Sequence, residues 1–299
     1  HSHPFVLFAC IRIISIAMKT FLKKKLQSIL KTLARWTILR YQPGIIGVTG
    51  SVGKTSAKEA IKTVLSRERK VRSASKNFNN EIGLPLAILG DWRDTGGIFF
   101  WARVIVFSFF RLLINFPKYP ELLILEYGID RPGDMKRLLK VAVPQIGVLT
   151  PIGEMPAHVE FFSGKDAVLK EKLRLIQSLP VTGFAVINAD TDEAKKAVVE
   201  TRAHIVKFGF SPNADLRIIS RESRFYKDMV QTTFKLSHNG SVVPVKLEGV
   251  AGDAQVLAAA AAAAVGIAFG LNLIKISEAL AAYIPPLGRM RVVSGIKEA

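Results

Sequence analysis

Short runs of β-branched and aliphatic residues alternate along this chain with longer stretches whose apolar positions recur at helical spacing. The short runs predict strands at Ile45–Val48, Lys70–Ser73, Leu122–Leu125, Gln145–Leu149, Phe184–Asn188 and His204–Phe208. The longer stretches predict helices near Lys54–Leu65, Gly133–Val141, Lys165–Ser178, Asp192–Thr201, Asp253–Phe269 and Ile274–Tyr283. Strands separated by helices in this order imply an α/β fold: a mostly parallel sheet with helices on both faces. Between Asp215 and Leu247 the pattern shortens to β runs at Leu216–Ile219, Val230–Leu236 and Val242–Leu247, with His238-Asn239-Gly240 as a turn. A small antiparallel β appendage is expected there. The run Ala258–Ala264 is low in complexity, yet alanine is the best helix former and lets a helix pack tightly on a sheet. No internal repeat is found.

Two apolar segments stand outside this alternation. Phe5–Met18 is broken only by Arg12 and is followed by Lys19, Lys23, Lys24, Lys25, Lys31, Arg35 and Arg40. Its charge follows the apolar run instead of preceding it, unlike a secretory signal, and the run is short for a bilayer span. Ile98–Phe116 is long enough to span but carries Arg103 and Arg111. On a helical wheel Arg103, Ser108, Arg111 and Asn115 share one arc of about 140°, and Phe, Ile, Val and Leu fill the rest. The expectation is an amphipathic helix with a basic polar face, lying at the interface of an anionic membrane. An ordinary helix docked on the domain is the alternative.

At 299 residues the chain holds one large or two modest domains, and 49% hydrophobic residues supply ample core. Lys and Arg number 42 against 24 Asp and Glu, so the charge of +18 calls for an anionic partner. No nucleic-acid-binding module, Cys/His zinc spacing or basic–aromatic strip is present, so nucleic acid is not expected as a partner. The single cysteine, Cys10, rules out an internal disulfide and fits a reducing compartment.

The strongest chemical signal is Gly47-Val-Thr-Gly-Ser-Val-Gly-Lys-Thr-Ser56, a strand end entering a glycine-rich turn that opens a helix. Gly50 and Gly53 would bring backbone N–H groups close to phosphate oxygens. The helix N-terminus adds partial positive charge, Lys54 a full one, and the Thr55 hydroxyl suits Mg²⁺. The generic phosphate-loop pattern would place a glycine at position 48, where this chain has Val48.

Four segments in order resemble the ATP-dependent Mur ligases of peptidoglycan synthesis. They are Gly47–Ser56, Asn77-Phe-Asn-Asn-Glu-Ile-Gly-Leu-Pro85, Leu125-Glu-Tyr-Gly-Ile-Asp-Arg-Pro-Gly-Asp134, and Ile152–Phe162 running on to Lys172. Weaker echoes follow in Asn188-Ala-Asp190 and Gly288-Arg289-Met290. The second segment resembles most the type that adds D-alanyl-D-alanine to a UDP-N-acetylmuramoyl-tripeptide. The resemblance implies activation of a carboxylate by ATP as an acyl phosphate, then attack by the incoming amine. Thr49, Gly50, Ser51, Val52, Gly53, Lys54, Thr55 and Ser56 would cradle the phosphates. Thr55, Glu126, His158 and Lys172 would hold Mg²⁺, with Lys172 carbamylated by CO₂ so that a cation becomes an anionic oxygen donor. Asn79 and Asn80 would face the nucleotide and the reacting carboxylate, and Lys54, Lys172, His158 and Asn80 would carry catalysis. Each residue also has an ordinary reading. Glu126 can be an exposed strand-end carboxylate, His158 a loop histidine, and Lys172 part of the solvated helix face Lys170-Glu-Lys172.

The departures from the family pattern are Pro151 for its usual asparagine, a two-residue insertion at Glu154-Met155, and Ala254-Gln255 for its His-Asn pair. Gln255 would still offer an amide to adenine, and Arg289 would lie on the nucleotide side. Residues 44–292 would form the central ATP-binding domain, with 98–116 inserted, after an apolar, basic segment at 1–43. Residues 293–299 would begin a third domain, and the chain would be a fragment lacking at least that domain. The expected location is the cytoplasm, peripheral to the inner membrane face. The alternatives are a folylpolyglutamate-type or other Mur-type ligase, or a membrane-associated nucleotide-binding module without ligase activity.

Overall fold

The computed structural model describes residues 3–74, 78–92, 95–114, 119–153, 161–226 and 229–289, and at 3–20, 226 and 229 the backbone alone. Its helices are α1 (His3–Tyr41), α2 (Lys54–Leu65), α3 (Gly83–Leu89), α4 (Ile98–Leu113), α5 (Asp134–Leu139), α6 (Lys165–Gln177), α7 (Glu193–Val199), α8 (Asp253–Ala268) and α9 (Leu273–Leu280). Its strands are β1 (Gly44–Thr49), β2 (Val71–Ser73), β3 (Leu122–Glu126), β4 (Ile146–Leu149), β5 (Phe184–Asn188), β6 (His204–Gly209), β7 (Leu216–Tyr226), β8 (Met229–His238) and β9 (Ser241–Glu248).

All nine form one sheet in the order β2-β3-β1-β4-β5-β6-β7-β8-β9. Pairing is parallel as far as β7 and antiparallel from β7 to β9. The expected antiparallel strands continue the main sheet: Phe208 and Gly209 of β6 register with Leu216 and Arg217 of β7. Asn239 and Gly240 both adopt positive φ in the two-residue turn between β8 and β9, as the turn signal predicts.

Strand alternation builds two cores. Ile46, Val48, Ile124 and Val148 face α2, α8 and α9. Ile45, Leu123, Leu125 and Leu149 face the opposite layer, where α1, α3, α5 and α6 pack. α2 covers the first face and α5 to α7 the second, so the chain changes face at β1 and β4, where ligands commonly bind in open parallel sheets.

α1 runs for 39 residues, and its Leu30, Leu33 and Ala34 lie in the second core. Tyr41 at its end stacks on Tyr119 with ring centroids 4.5 Å apart.

α4 corrects the expectation of an outward basic face. Ser108 and Val104 point into the protein. The Arg111 guanidinium donates to Leu89 O at 2.9 Å and lies over the Phe107 ring, and Arg103 lies over Trp92. Ser108 and Arg111 therefore turn toward the domain, the aromatic stripe turns outward, and Arg103 stays exposed at the edge of that stripe. Periodicity defines two faces of a helix; the partners available to Arg111 decide which one docks.

Candidate functional site

The loops after β1, β3 and β4 meet at the carboxyl edge of the sheet. Ser51 and Val52 donate their backbone N–H groups to Pro151 O at 3.1 Å each. The Thr150 hydroxyl donates to Thr49 O at 3.3 Å, and the Thr49 hydroxyl to Tyr127 O at 3.0 Å. Gly50 (φ +146°) and Gly53 (φ +81°) occupy conformations that L side chains rarely adopt, and a Cβ at Gly50 would also collide with Thr150. Gly53 precedes α2 and has no side chain with which to cap its first turn. The glycine turn thus leads into the N-terminus of α2, whose partial positive charge suits an anion, while Pro151 holds the Ser51 and Val52 donors.

Five predicted residues gather around this turn. Lys54 Nζ donates to Gly50 O at 3.0 Å and to Ser51 O at 3.4 Å. Thr55 Oγ1 donates to Glu126 Oε2 at 3.2 Å, and Asn79 Nδ2 to Glu126 Oε1 at 3.3 Å. Glu126 is only 4% exposed, so it is not a solvated strand end. Lys172 is 5% exposed, not the solvated helix lysine its neighbours suggest, and its Nζ donates to Gly50 O at 2.7 Å. Two ammonium groups therefore share one carbonyl. Burial above all, then the charge of Lys54, pulls the Lys172 pKa down to about 7, against the opposing pull of Asp130 and Glu126. Burial also lowers the Lys54 pKa, Glu126 and Asp130 opposing and Arg289 adding to it. Asp130 and Arg289 therefore stand within electrostatic reach of the loop. Asp130 lies inside the third segment quoted above but had no role assigned; its nearness to two lysines depends on the β3 exit and is invisible in spacing.

A 3.2 Å separation between a hydroxyl and a carboxylate oxygen is close to the ~3 Å edge of an octahedron with Mg–O bonds of about 2.1 Å. Thr55 and Glu126 therefore fit Mg²⁺. His158 lies outside the described residues, and among those described no group of three or more His, Cys, Asp or Glu is placed to hold a metal.

Two residues expected at the ligand, Gln255 and Ser56, are hydrogen-bonded to one another within the fold. Gln255, 1% exposed, donates from Nε2 to Ser56 Oγ at 3.2 Å and to Arg289 O, and its Oε1 accepts from Tyr283 Oη at 2.7 Å. The amide expected to meet adenine is thus engaged inside the fold, where it ties α8 to the first turn of α2. Ser56 is buried in the same network. Beside them, Val52, Thr150, Pro151, Phe208, Ala254 and Leu257 line an apolar cavity of about 190 Å³. Asn80 Oδ1 accepts from the N–H groups of Ile82 and Gly83, at 3.1 and 2.9 Å, and so steadies the start of α3. The same residue borders a polar cavity of about 340 Å³ with Asp130, Arg131, Arg137, and Lys23 and Gln27 of α1.

A parallel α/β sheet with a glycine turn, two lysines and a buried carboxylate at its carboxyl edge defines a nucleotide-phosphate-binding domain. The Mur ligase middle domain matches residues 109–266, a span holding Glu126 and Lys172, and the chain belongs to the Mur ligase family. It is 30% identical over 250 residues to the UDP-N-acetylmuramoyl-tripeptide--D-alanyl-D-alanine ligase of Mycobacterium tuberculosis (strain ATCC 25618 / H37Rv), covering 83% of this chain and 42% of that protein. The MurF ligase of Thermotoga maritima in complex with ADP superposes with a TM-score of 0.71 at 28% identity, over 89% of this chain and 54% of the other. MurF from Acinetobacter baumannii gives a TM-score of 0.72 at 22% identity, over 90% and 52%, a likeness of fold. The chain thus spans about half or less of the relatives it matches.

Proposed function

We propose that this domain binds ATP with Mg²⁺ and, in a complete protein, drives an ATP-dependent peptide ligation that adds D-alanyl-D-alanine to a UDP-N-acetylmuramoyl-tripeptide in the cytoplasm. The convergence of Lys54, Thr55, Glu126 and Lys172 on the Gly50–Gly53 turn carries this reading. The M. tuberculosis relative bears the name of that activity, and a structural relative was solved with ADP. In this reading Lys54 leaves the loop carbonyls to meet the β- and γ-phosphates, while Thr55 and Glu126 hold Mg²⁺. Held there, Mg²⁺ would supply positive charge to the phosphoryl group transferred to the substrate carboxylate. The cavity beside Ala254 and Leu257 takes the base by apolar contact, in place of an amide. Asn80 and Asn79 face the acceptor end.

Lys172 is assigned as the site of a carbamate. Its neutral amine attacks CO₂, a C–N bond forms, a proton leaves, and the product is an anionic oxygen donor where a cation stood. A pKa near 7 supports this, since a useful fraction of the amine is neutral at physiological pH. His158 is assigned to a second Mg²⁺ on the family resemblance alone.

Calorimetry of ATP·Mg²⁺ binding tests the core of this reading. Lys54→Ala should weaken binding by on the order of 2–4 kcal/mol, the loop having lost its full charge. Equal affinity in wild type and variant would overturn it. In the complete protein Lys172→Ala should lose ligation and regain part of it with short-chain carboxylates, whereas Lys172→Arg should stay inactive.

A further inference from the structure

We propose that α4 and α1 together dock this domain onto an anionic lipid bilayer, with the aromatic face of α4 as the inserted surface. α4 is inverted relative to an ordinary surface helix. Its outward arc of about 120° contains Ile98, Phe99, Val106, Phe109, Phe110 and Leu113, all exposed, with Phe99 88% exposed. Nothing polar interrupts it; Ala102 is the remaining residue on that arc. Among the described residues of α1, Phe21, Leu22, Ile29, Trp36 and Leu39 are also exposed and share an arc of about 100°, with exposed Lys25, Thr32 and Arg40 on the same arc. The two helices pack on one another, and Tyr41 Oη donates to Arg111 O at 2.8 Å. Apolar surface on this scale marks an interaction site.

Charge selects the occupant. Neither α1 nor α4 contains an aspartate or glutamate. Exposed Lys23, Lys24 and Lys25 flank Phe21 and Leu22, and exposed Arg35 and Arg40 flank Trp36 and Leu39. A protein partner normally meets a surface of mixed sign. Aromatic and aliphatic side chains whose only charged neighbours on the same two helices are cations match the headgroup region of an anionic leaflet, where aromatic rings settle and each nearby cation is drawn to lipid charge. No helix among the described residues is long and apolar enough to cross a membrane, so the contact is interfacial. This differs from the expectation drawn from periodicity. Arg111 faces the protein and Phe110 the lipid.

Flotation of the chain with vesicles tests the proposal without reference to ligase activity. Binding should be firm on mixed phosphatidylglycerol–phosphatidylcholine vesicles, several-fold weaker on phosphatidylcholine alone, and reduced by salt. The variant Phe99→Ser/Phe109→Ser/Phe110→Ser should bind at least about tenfold more weakly while keeping wild-type circular dichroism. Lys24→Glu/Lys25→Glu should remove the preference for phosphatidylglycerol, by about fivefold per cation. Should the triple variant misfold, brominated lipid gives a second measure. It should quench the wild-type fluorescence that Trp36→Phe removes, and no such quenching overturns the proposal. Failure of the wild-type chain to float, or equal flotation of the triple variant, also overturns it. So does a concentration-dependent dimer that the triple variant abolishes in the absence of vesicle binding, since the face would then join two copies of the chain.

Discussion

α8 and α4 are both 16 residues long and both strongly apolar, yet they lie in opposite surroundings. Every residue of Ala258–Ala264 in α8 is buried, against α2 and the sheet. Only Val104 and Ser108 of α4 are buried. Side-chain size and the local polar partners account for the difference. A methyl group lets the α8 backbone approach α2, so even the face of α8 turned from the sheet is enclosed. α4 carries phenylalanines on one side and two arginines near the other, and the domain has carbonyls and rings ready for the arginines. Apolar content alone therefore does not place a helix; what lies beside it does.

Lys172 is the converse of α4, a cation indoors where α4 holds apolar side chains outdoors, and removing it should give the largest effect. Its pKa is about 7 folded, below the ordinary lysine value in the unfolded chain. Below about pH 7 both states are protonated and the penalty for burying the charge is present in full. As pH rises from 7 toward the unfolded value, the unfolded chain binds more protons and stability rises. Lys172→Met should therefore raise stability by on the order of a few kcal/mol at pH 6 and flatten the rise above pH 7. Urea titrations across pH 6–9 read this directly, and an unchanged slope would show that Lys172 is not held neutral.

Ala261→Leu should destabilise by about 1–3 kcal/mol, because a buried face at 0% exposure has no room for three more carbons. A neutral result in thermal unfolding would mean that the α8 packing is loose. Gln255→Ala should cost about 1–2 kcal/mol, since Ser56, Tyr283 and the Arg289 carbonyl lose a shared partner. It should also leave Mg²⁺-dependent ATP affinity largely intact if Gln255 is a brace; a loss equal to that of Lys54→Ala would restore its direct role. Phe110→Ser should change stability by no more than about 0.5 kcal/mol, its ring being half exposed. A larger loss would mean that the outer face of α4 packs against the domain, and that its contrast with α8 is false.

Much of the scaffold was legible in advance. α2 has the bounds that its spacing predicts, Lys54–Leu65, and the parallel strands lie within a residue or so of expectation. The antiparallel strands are longer than predicted because β7 continues past a register shift between Ile219 and Glu222, where Ser220 adopts positive φ and charged residues follow. α3 was hidden inside a segment read for its chemistry. The sequence of α1 reads as an apolar run with a basic sequel, and its 39-residue length follows from the lack of an internal stop signal before Pro43. At the site, the glycine turn, Lys54 and Thr55 could be read from local spacing, whereas Glu126, 71 residues from Thr55, was named only through the family resemblance.

Residue order was enough to set the alternation of strands and helices and to place a phosphate-type turn at the end of the first strand. These follow from short-range rules: period, glycine φ, and the opening of a helix. It was not enough to orient α4, to commit the Gln255 amide to Ser56 and Tyr283, or to bring Lys172 against Gly50 across a separation of 122 residues. Periodicity gives a helix two faces without a sign, and an amide or ammonium takes its partners and its pKa from whichever groups surround it once the chain has closed.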